Sequence, residues 1–178
     1  MNPSVKFVRM NGDARIPAYA HAGDSGMDLY ATEDVVLPPT AFIKNSFIKD
    51  YSDGMLVKHY YPVPDRSEPI NTNGARAVPT GLGIILPEGY EAQVRPKSGL
   101  AIKQGITVLN TPGTVDRGFQ GEIQVIMINL SAREYLVKAG SKVAQLVICP
   151  VAYCNVEEAK DFTEVTSRGE GGFGSTGI

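Results

Sequence analysis

The chain has 178 residues, 43% hydrophobic and 20% charged, which is typical of one globular domain with a substantial core. Its formal net charge of −2 excludes a global basic field for nucleic acid or a membrane surface. No apolar run approaches the ~20 residues of a membrane span, and the N-terminus lacks the apolar core of a signal peptide. We therefore expect a cytoplasmic protein.

Glycine (19) and proline (12) punctuate short apolar runs, a pattern that predicts an all-β domain. The runs, in chain order, are Val5–Met10, Val35–Leu37, Ala41–Ile43, Gly81–Leu86, Tyr90–Arg95, Gly121–Leu130 and Ser141–Cys149. We expect Gly81–Leu86 and Tyr90–Arg95 to form a hairpin. Gly121–Leu130 has apolar residues at both odd and even positions, which predicts a strand buried on both faces, and Ser141–Cys149 is similar. Ser98–Lys103 predicts one short helix.

Two segments depart from this pattern. Lys49–Ala77 is rich in Tyr, Pro, Asp and Asn, which indicates an insertion that forms a hairpin or long loop, either functional or merely solvated. Ser167–Ile178 is glycine-rich and cannot hold a fixed shape alone. It is either a frayed tail or an arm that orders over a nucleotide. Cys149 and Cys154 make neither a disulfide framework nor a zinc site, and we expect buried thiols.

The segment Arg95–Ala101 carries the first candidate site. Pro96 ends a strand, and Ser98 suits the cap of a short helix, where free N–H groups favour an anion. Lys97 adds a full positive charge. A phosphate site and a plain helix cap both fit this segment.

The segment Asn110–Asp116 carries the second candidate site. It resembles a hairpin turn whose exposed backbone can read a base edge, and the Asn110 amide supplies one donor and one acceptor. As an ionised carboxylate, Asp116 can orient and activate a water. The alternative is that these residues form a hairpin turn and bind no ligand.

Three further places carry polar groups suited to a nucleotide. Asp28 follows a glycine turn, where an Asx cap is the common role. Gln145 lies inside an apolar strand and needs a partner, in the core or in a ligand. In the C-terminal arm, Arg168 can pair with phosphate and Phe173 can stack on a base.

These stretches occur in the order and rough spacing of five motifs, and the set resembles the trimeric dUTP pyrophosphatases (dUTPases). The stretches read SGMDLYAT, RPKSGLA, NTPGTVDRGFQGE, KVAQL and RGEGGFGSTG. The resemblance spans Val5 to Gly177, interrupted by the Lys49–Ala77 insertion. Five motifs in order are far more specific than any one of them.

The resemblance implies a distorted jelly-roll β-barrel over residues 1–166 and a flexible arm over 167–178 that closes on the active site. It implies a homotrimer whose active sites draw residues from all three chains. The implied reaction converts dUTP and water to dUMP and pyrophosphate, with Mg²⁺ held on the triphosphate. This activity would keep uracil out of DNA and supply dUMP for thymidylate synthesis.

The resemblance also assigns roles. Asp116 positions the attacking water and contacts the deoxyribose 3′-OH, Phe119 packs against the sugar, and Asp28 supports metal waters or phosphate-binding residues. The residues implied to contact phosphate are Lys97, Ser98, Gly99, Gln145, Arg168, Ser175 and Thr176. Those implied to contact uracil or deoxyribose are Asn110, Thr114, Val115, Phe119, Gln124 and Phe173.

Three positions depart from the family pattern. Lys97 and Lys142 stand where arginine is usual, and Phe119 stands where tyrosine is usual. Lysine offers a point charge without the guanidinium fork. Arg95, two residues before Lys97, is a candidate to compensate for the missing fork.

Two other interpretations of the function are alternatives to a dUTPase. The first is a dCTP deaminase, whose relatives carry a proton-shuttling glutamate five residues after the glycine that matches Gly121. That position is Ile126 here, which cannot move protons. The second is a dUTPase-like trimer that binds a protein partner through the insertion. The mixed charges of the insertion argue against a nucleic-acid patch.

Overall fold

The computed structural model describes residues 3–40, 47–52, 55–60, 74–162, 164 and 166–171, and for 47–60 only the backbone. These residues form thirteen strands and one short helix, α1, over Ser98–Gln104. The strands are β1 Lys6–Arg9, β2 Met27–Tyr30, β3 Val35–Leu37, β4 Phe47–Ser52, β5 Met55–Tyr60, β6 Ala75–Pro79, β7 Leu82–Ile85, β8 Tyr90–Arg95, β9 Ile106–Val108, β10 Gly113–Val115, β11 Gln124–Asn129, β12 Tyr135–Val137 and β13 Lys142–Pro150.

The strands form small antiparallel sheets around one core, as the all-β prediction required. The widest sheet has the order β10-β8-β13-β2, and a second has the order β6-β11-β9. The pairs β1-β7, β12-β3 and β4-β5 complete the set. No helix in the described part of the chain is long and apolar enough to span a membrane.

The core is built from the inward positions of these short strands. Leu29, Leu82, Ile106 and Leu146 are fully buried, each from a different strand. Buried Asn129 satisfies its amide: Nδ2 donates to the carbonyls of Leu37 and Arg133 at 3.0 and 2.7 Å, and Oδ1 accepts from Ser131. These hydrogen bonds offset the cost of desolvating the buried amide and connect neighbouring elements.

Two predictions about strand pairing are wrong. Gly81–Leu86 and Tyr90–Arg95 do contain β7 and β8, but β7 pairs with β1 whereas β8 pairs with β10 and β13. Likewise, β9 pairs with β11, and β10 pairs with β8, so Asn110–Asp116 does not close a hairpin. A connection between two sheets and a hairpin use the same turn residues, so local sequence does not distinguish them.

Burial differs from prediction along β11. Val125 and Met127 face the core, but Ile126 is 38% exposed on the opposite face. By contrast, β13 buries residues of both parities, as predicted. The thiols also differ, because Cys149 is partly exposed and Cys154 is exposed.

The predicted insertion contains a self-paired hairpin. Strands β4 and β5 pair with each other from Phe47↔Tyr60 to Ser52↔Met55. The hairpin begins two residues before Lys49. Ala75–Ala77, the last residues of the predicted insertion, belong to β6, which pairs with β11. Ala41–Ile43 lie outside the described residues.

Candidate active site

A buried carboxylate holds two lysines at one end of the widest sheet. Asp28 is 6% exposed, and its Oδ1 and Oδ2 accept hydrogen bonds from Lys97 Nζ at 2.5 Å and Lys142 Nζ at 2.6 Å. Burial raises the pKa of Asp28, but the hydrogen bonds and charges of Lys142 and Lys97 outweigh burial, so the pKa lies below its usual value. The hydrogen bond and charge of Asp28 raise the pKa of Lys142. Asp28 and Lys142 therefore stay ionised near neutral pH.

A β-bulge directs Lys142 toward Asp28. Lys142 pairs with Tyr30 and Gln145 pairs with Asp28, so three steps along β13 match two steps along β2. The register shift falls between Lys142 and Ala144. An extra residue in one strand shifts the alternation of its faces by one position. Lys142 and Gln145 thus share the face of Asp28, although a regular strand would place them on opposite faces.

Gln145 finds its partner in a backbone carbonyl. The register aligns it between Asp28 on β2 and Arg95 on β8. Its Nε2 donates to the carbonyl of Pro96 at 3.0 Å. A Cβ added at Gly26 would lie 2.5 Å from Gln145 Oε1, so the glycine makes room for the side chain. Gln145 is thereby held next to the segment that leads into α1.

The start of α1 differs from the predicted cap. Lys97 occupies the N-cap position with extended backbone angles, and Ser98 is the first helical residue, with no side-chain cap hydrogen bond. The Lys97 carbonyl accepts from the amides of Leu100 and Ala101. The Ser98 hydroxyl is therefore not used as a cap, and Ser98 and Gly99 are both exposed.

A second group of candidate residues surrounds β10. This strand lies at the edge of its sheet, pairing with β8 alone among the described strands. Thr114 is exposed, whereas the Val115 side chain is 9% exposed and packs in the core. An edge strand presents backbone N–H and C=O groups that no neighbouring strand occupies. Val115 can therefore contribute backbone groups only.

Two glycines shape the remainder of this group. A Cβ at Gly113 would lie 3.1 Å from Asn110 Nδ2, so the Asn110 amide packs across the start of β10. A Cβ at Gly121 would lie 2.5 Å from Phe119 Cζ, so the ring covers Gly121 while remaining 46% exposed. Asp116 is exposed, and its carbonyl accepts from the Phe119 amide at 3.2 Å. The peptide bond Thr111–Pro112 is cis.

Other predicted site residues lie apart from both groups. Gln124 is exposed at the start of β11, in a different sheet from β10, and its amide nitrogen is 3.5 Å from Glu122 Oε2. Arg168 is exposed in a turn, where its Nε donates to the Gly171 carbonyl at 3.1 Å. Phe173, Ser175 and Thr176 lie outside the described residues.

Asp116 and Lys97 lie toward opposite ends of β8. Gly113 pairs with Val94 and Val115 with Ala92, so Asp116 follows at the level of Glu91. Lys97 lies beyond Arg95, and four residues of strand span about 13 Å. Across the part of the chain that the structure describes, no hydrogen bond or ion pair joins Asp116 to the Asp28–lysine group.

Arg95 does not take the place of the missing arginine fork. Its guanidinium donates to Gln93 Oε1 at 2.5 and 3.0 Å and lies 3.6 Å from Cys149 Sγ, back along the sheet. The cation beside Lys97 is Lys142 instead. From the sequence, Lys142 is only a departure from the family pattern, and a regular strand would place residues three apart on opposite faces.

Comparison with known proteins identifies the family. The dUTPase family profile matches residues 65–177. The deoxyuridine 5'-triphosphate nucleotidohydrolase of Clostridium tetani is 42% identical over 174 residues, covering 98% of this chain and 97% of that protein. The chain belongs to the dUTPase family. The Clostridioides difficile relative is 41% identical over 175 residues, covering 98% and 99%.

Solved dUTPases have the same fold. The dUTPase of Staphylococcus bacteriophage 80alpha with dUPNHPP aligns with a TM-score of 0.74 at 21% identity, covering 98% of this chain and 99% of that one. The dUTPase of phage phi11 of S. aureus aligns with a TM-score of 0.67 at 19% identity, covering 91% and 99%. The family membership and these neighbours agree with the predicted jelly-roll architecture.

Proposed function

We propose that this protein hydrolyses dUTP to dUMP and pyrophosphate. The observation that carries the proposal is the buried Asp28 with two solvent-facing lysines beside Gln145, a site for an anion in a chain of the dUTPase family. The reaction lowers the supply of dUTP to DNA synthesis and yields dUMP for thymidylate synthesis.

Phosphate binding falls to the group at the Arg95 end of β8. Attack on the α-phosphorus needs neutralisation of charge on three phosphates and an aligned water. Lys97 provides charge, the Ser98 hydroxyl and Gly99 amide provide donors, and both Ser98 and Gly99 are exposed. Gln145 is the direct cross-strand neighbour of Asp28. Arg168, Ser175 and Thr176 would complete the phosphate contacts when the arm closes.

Recognition of the nucleoside falls to the group around β10. The free edge of Thr114–Val115 suits a base edge, and Asn110 adds an amide. Cytosine would place a donor where uracil has an acceptor, which leaves buried polar groups unpaired. The exposed Phe119 ring offers a face to the sugar, Phe173 would cover uracil, and Gln124 is the weakest member because it lies in another sheet.

Asp116 is the catalytic residue of the proposal. Its carboxylate is exposed and follows the edge strand directly, so it can accept a proton from a water near the sugar and α-phosphate. Asp116 also suits a contact with the 3′-OH.

Magnesium binding by substrate fits the donor set. Among the described residues, no three His, Cys, Asp or Glu side chains converge on a metal position. Both oxygens of Asp28 already accept from lysines. Mg²⁺ commonly keeps several waters and binds through substrate phosphates. When bound to the triphosphate, Mg²⁺ would neutralise phosphate charge. A mutant dUTPase of phage phi11 of S. aureus coordinates a structural Mg(II) ion.

We propose a homotrimer with shared sites, and the separation of Asp116 from Lys97 supports it. Asp116 must activate water, and Lys97 must bind phosphate, at the same phosphorus atom. Within one chain, however, these two residues lie toward opposite ends of β8. Asp116 of one copy facing Lys97 of another resolves this. Co-expressed Asp116→Asn and Lys97→Ala chains should then regain activity in mixed oligomers, because some sites carry both intact residues. No recovery above the two separate variants would contradict shared sites.

Exposed apolar surface supports contact between copies. The segment after β13 exposes Tyr153 by 73%, Val156 by 95% and Phe162 by 94%. A cleft of about 930 Å³ lies between the N-terminal segment and the loop before β2, lined in part by Phe7, Ile16 and Tyr19. These large exposed apolar side chains are candidates for contact with another copy.

One assay separates the proposed activity from cytosine deamination. The purified protein is incubated with each deoxynucleoside triphosphate and Mg²⁺, and the products are identified. We expect pyrophosphate and dUMP from dUTP and no ammonia from dCTP, since Ile126 lies on β11 where a deaminase needs a proton shuttle. Ammonia release from dCTP at a comparable rate would overturn the proposal.

The β4–β5 hairpin is the candidate surface for a protein partner. It pairs only with itself among the described strands. Phage dUTPases of the 80alpha type control transfer of virulence genes. Replacing residues 47–73 with a short Gly-Ser linker should preserve dUTP hydrolysis if the hairpin serves a partner. Loss of activity would make the hairpin part of the catalytic assembly instead.

A further inference from the structure

We infer that Gly121 is a specificity-determining residue of the nucleoside site, because it fixes the position of the Phe119 ring and thereby sets the preference for deoxyribose over ribose. The inference rests on the proposed function for the placement of the sugar at Phe119. Gly121 itself touches no substrate here, so it is a positioning residue that acts through the ring.

The tip of the Phe119 ring occupies the space that a side chain at Gly121 would need. A Cβ added there would lie 2.5 Å from Cζ, 3.0 Å from Cε2 and 3.3 Å from Cε1 of the ring. Carbon atoms in contact are about 3.5–4.0 Å apart, so the ring tip would have to move by about 1 Å. Gly121 has no positive φ, so its own backbone accepts alanine. The requirement for glycine at this position therefore comes from the ring.

The backbone next to Gly121 is anchored on a neighbouring segment. The Ile123 amide donates to the Leu82 carbonyl at 2.7 Å, and Ile123 is 2% exposed. The Gly81 amide donates to Glu122 Oε1 at 2.6 Å. These contacts hold the chain on both sides of the β7 start, so a clash at Gly121 is relieved by movement of the ring and not of the backbone.

The ring is the movable partner and lies close to the proposed catalytic acid. Phe119 is 46% exposed, and a phenyl ring carries no hydroxyl, so packing decides where it lies. The Phe119 amide donates to the Asp116 carbonyl at 3.2 Å across a turn in which Gly118 has a φ of 94°. A ring displaced by about 1 Å at this place changes the fit of a sugar bound beside Asp116.

The chemistry of the ring favours deoxyribose. A phenyl face can contact the apolar C2′ carbon of deoxyribose, but it offers no partner to a 2′-hydroxyl. A hydroxyl that loses water without gaining a hydrogen bond weakens binding. Because ribose already fits poorly in the wild type, displacing the ring lowers the affinity for deoxyribose more than that for ribose.

The first test compares the binding of dUMP and UMP by calorimetry, which needs no turnover. Wild type should bind dUMP at least about tenfold more tightly than UMP, on the scale of one unpaired hydroxyl, and Gly121→Ala should reduce this preference about fivefold. Gly83→Ala on β7 is the matched control. Its added Cβ would meet Met10 Sδ at 3.4 Å, Val8 Cβ at 3.7 Å and the Gly121 carbonyl oxygen at 3.8 Å, which are ordinary contacts, so it should keep the preference of wild type.

The second test shows whether Gly121 acts through the ring. In a Phe119→Ala background the clashing ring atoms are gone, so adding Gly121→Ala should change the dUMP affinity by less than about twofold. A loss of dUMP affinity as large as that in the wild-type background would overturn the inference. Thermal unfolding checks each variant, and a Gly121→Ala chain that does not fold would also overturn it, because the ring would then not be the movable partner.

The outcomes distinguish this inference from the proposed function. Gly121→Ala with the dUMP preference of wild type and Gly83→Ala would contradict the role of Gly121, as would a wild type that binds dUMP and UMP equally or not at all. A wild type that releases no pyrophosphate from dUTP would instead overturn the proposed function, and the two titrations would still decide the role of Gly121.

Discussion

Replacing Gly26 with alanine should impair catalysis while leaving stability nearly unchanged. The added Cβ would lie 2.5 Å from Gln145 Oε1 and 3.1 Å from its Cβ and Cδ, so the Gln145 amide must turn away and the backbone that carries Gln145 Cβ must give by a few tenths of an ångström. Its hydrogen bond to the Pro96 carbonyl would then be lost. Gly26 has no positive φ, so alanine fits the backbone itself.

The two expected changes in the free energy of unfolding nearly cancel, whereas nothing offsets the expected loss of catalysis. Losing the Gln145–Pro96 hydrogen bond costs about 0.5–1.5 kcal/mol. Alanine restricts the unfolded chain and returns about 0.4–1 kcal/mol. The midpoint of thermal unfolding should therefore move by no more than about 3 °C. If Gln145 binds phosphate in the transition state, its displacement should lower kcat/KM by about 10–100-fold.

A double-mutant cycle makes this reasoning refutable. In a Gln145→Ala background the close amide atoms are gone, so adding Gly26→Ala should change kcat/KM by less than about twofold. Gly12→Ala is the control, because nothing lies within 4 Å of its added Cβ. Normal kcat/KM in Gly26→Ala, or a further large loss in the double variant, would refute the link from Gly26 through Gln145 to catalysis.

Three other predictions follow from the site. Asp116→Asn should fold and bind dUTP but lose about 10²–10⁴-fold in kcat, because the amide cannot accept a proton; near-normal turnover would contradict the role of Asp116. Deleting Ser167–Ile178 should abolish dUTP turnover with little change in thermal midpoint, and full activity would show that the arm is only a tail. Because folding lowers the pKa of Asp28 below 3.8, its contribution to stability is present above that value and is lost as pH falls through the folded pKa. Acid unfolding of wild type should therefore be steeper than that of Asp28→Asn below about pH 4, and equal slopes would show that Asp28 is not stabilised in its ionised form.

The sequence predicted elements of the fold but not the pairing of strands, and its assignments of site residues stay predictions. The fold class, six of the thirteen described strands (β1, β3, β7, β8, β11 and β13) and α1 follow from local periodicity and turn residues, which act over a few neighbouring positions. The predicted partner of β8 was wrong because the turn at Pro87–Gly89 is compatible with either a hairpin or a crossing between sheets. Which strand pairs with which depends on contacts far apart in the chain.

The sequence by itself determined the family, the order of the motifs and the identity of the candidate catalytic acid, because these depend on residue types at fixed spacings. Only the tertiary structure decided that Asp28 is a buried anchor for two lysines, since the carboxylate and each ammonium belong to separate strands or loops. It also decided that Arg95 turns away and that Lys142 takes the position beside Lys97. The physical reason for the position of Lys142 is the bulge in β13, which shifts the alternation of faces by one residue. The local sequence pattern does not predict this shift.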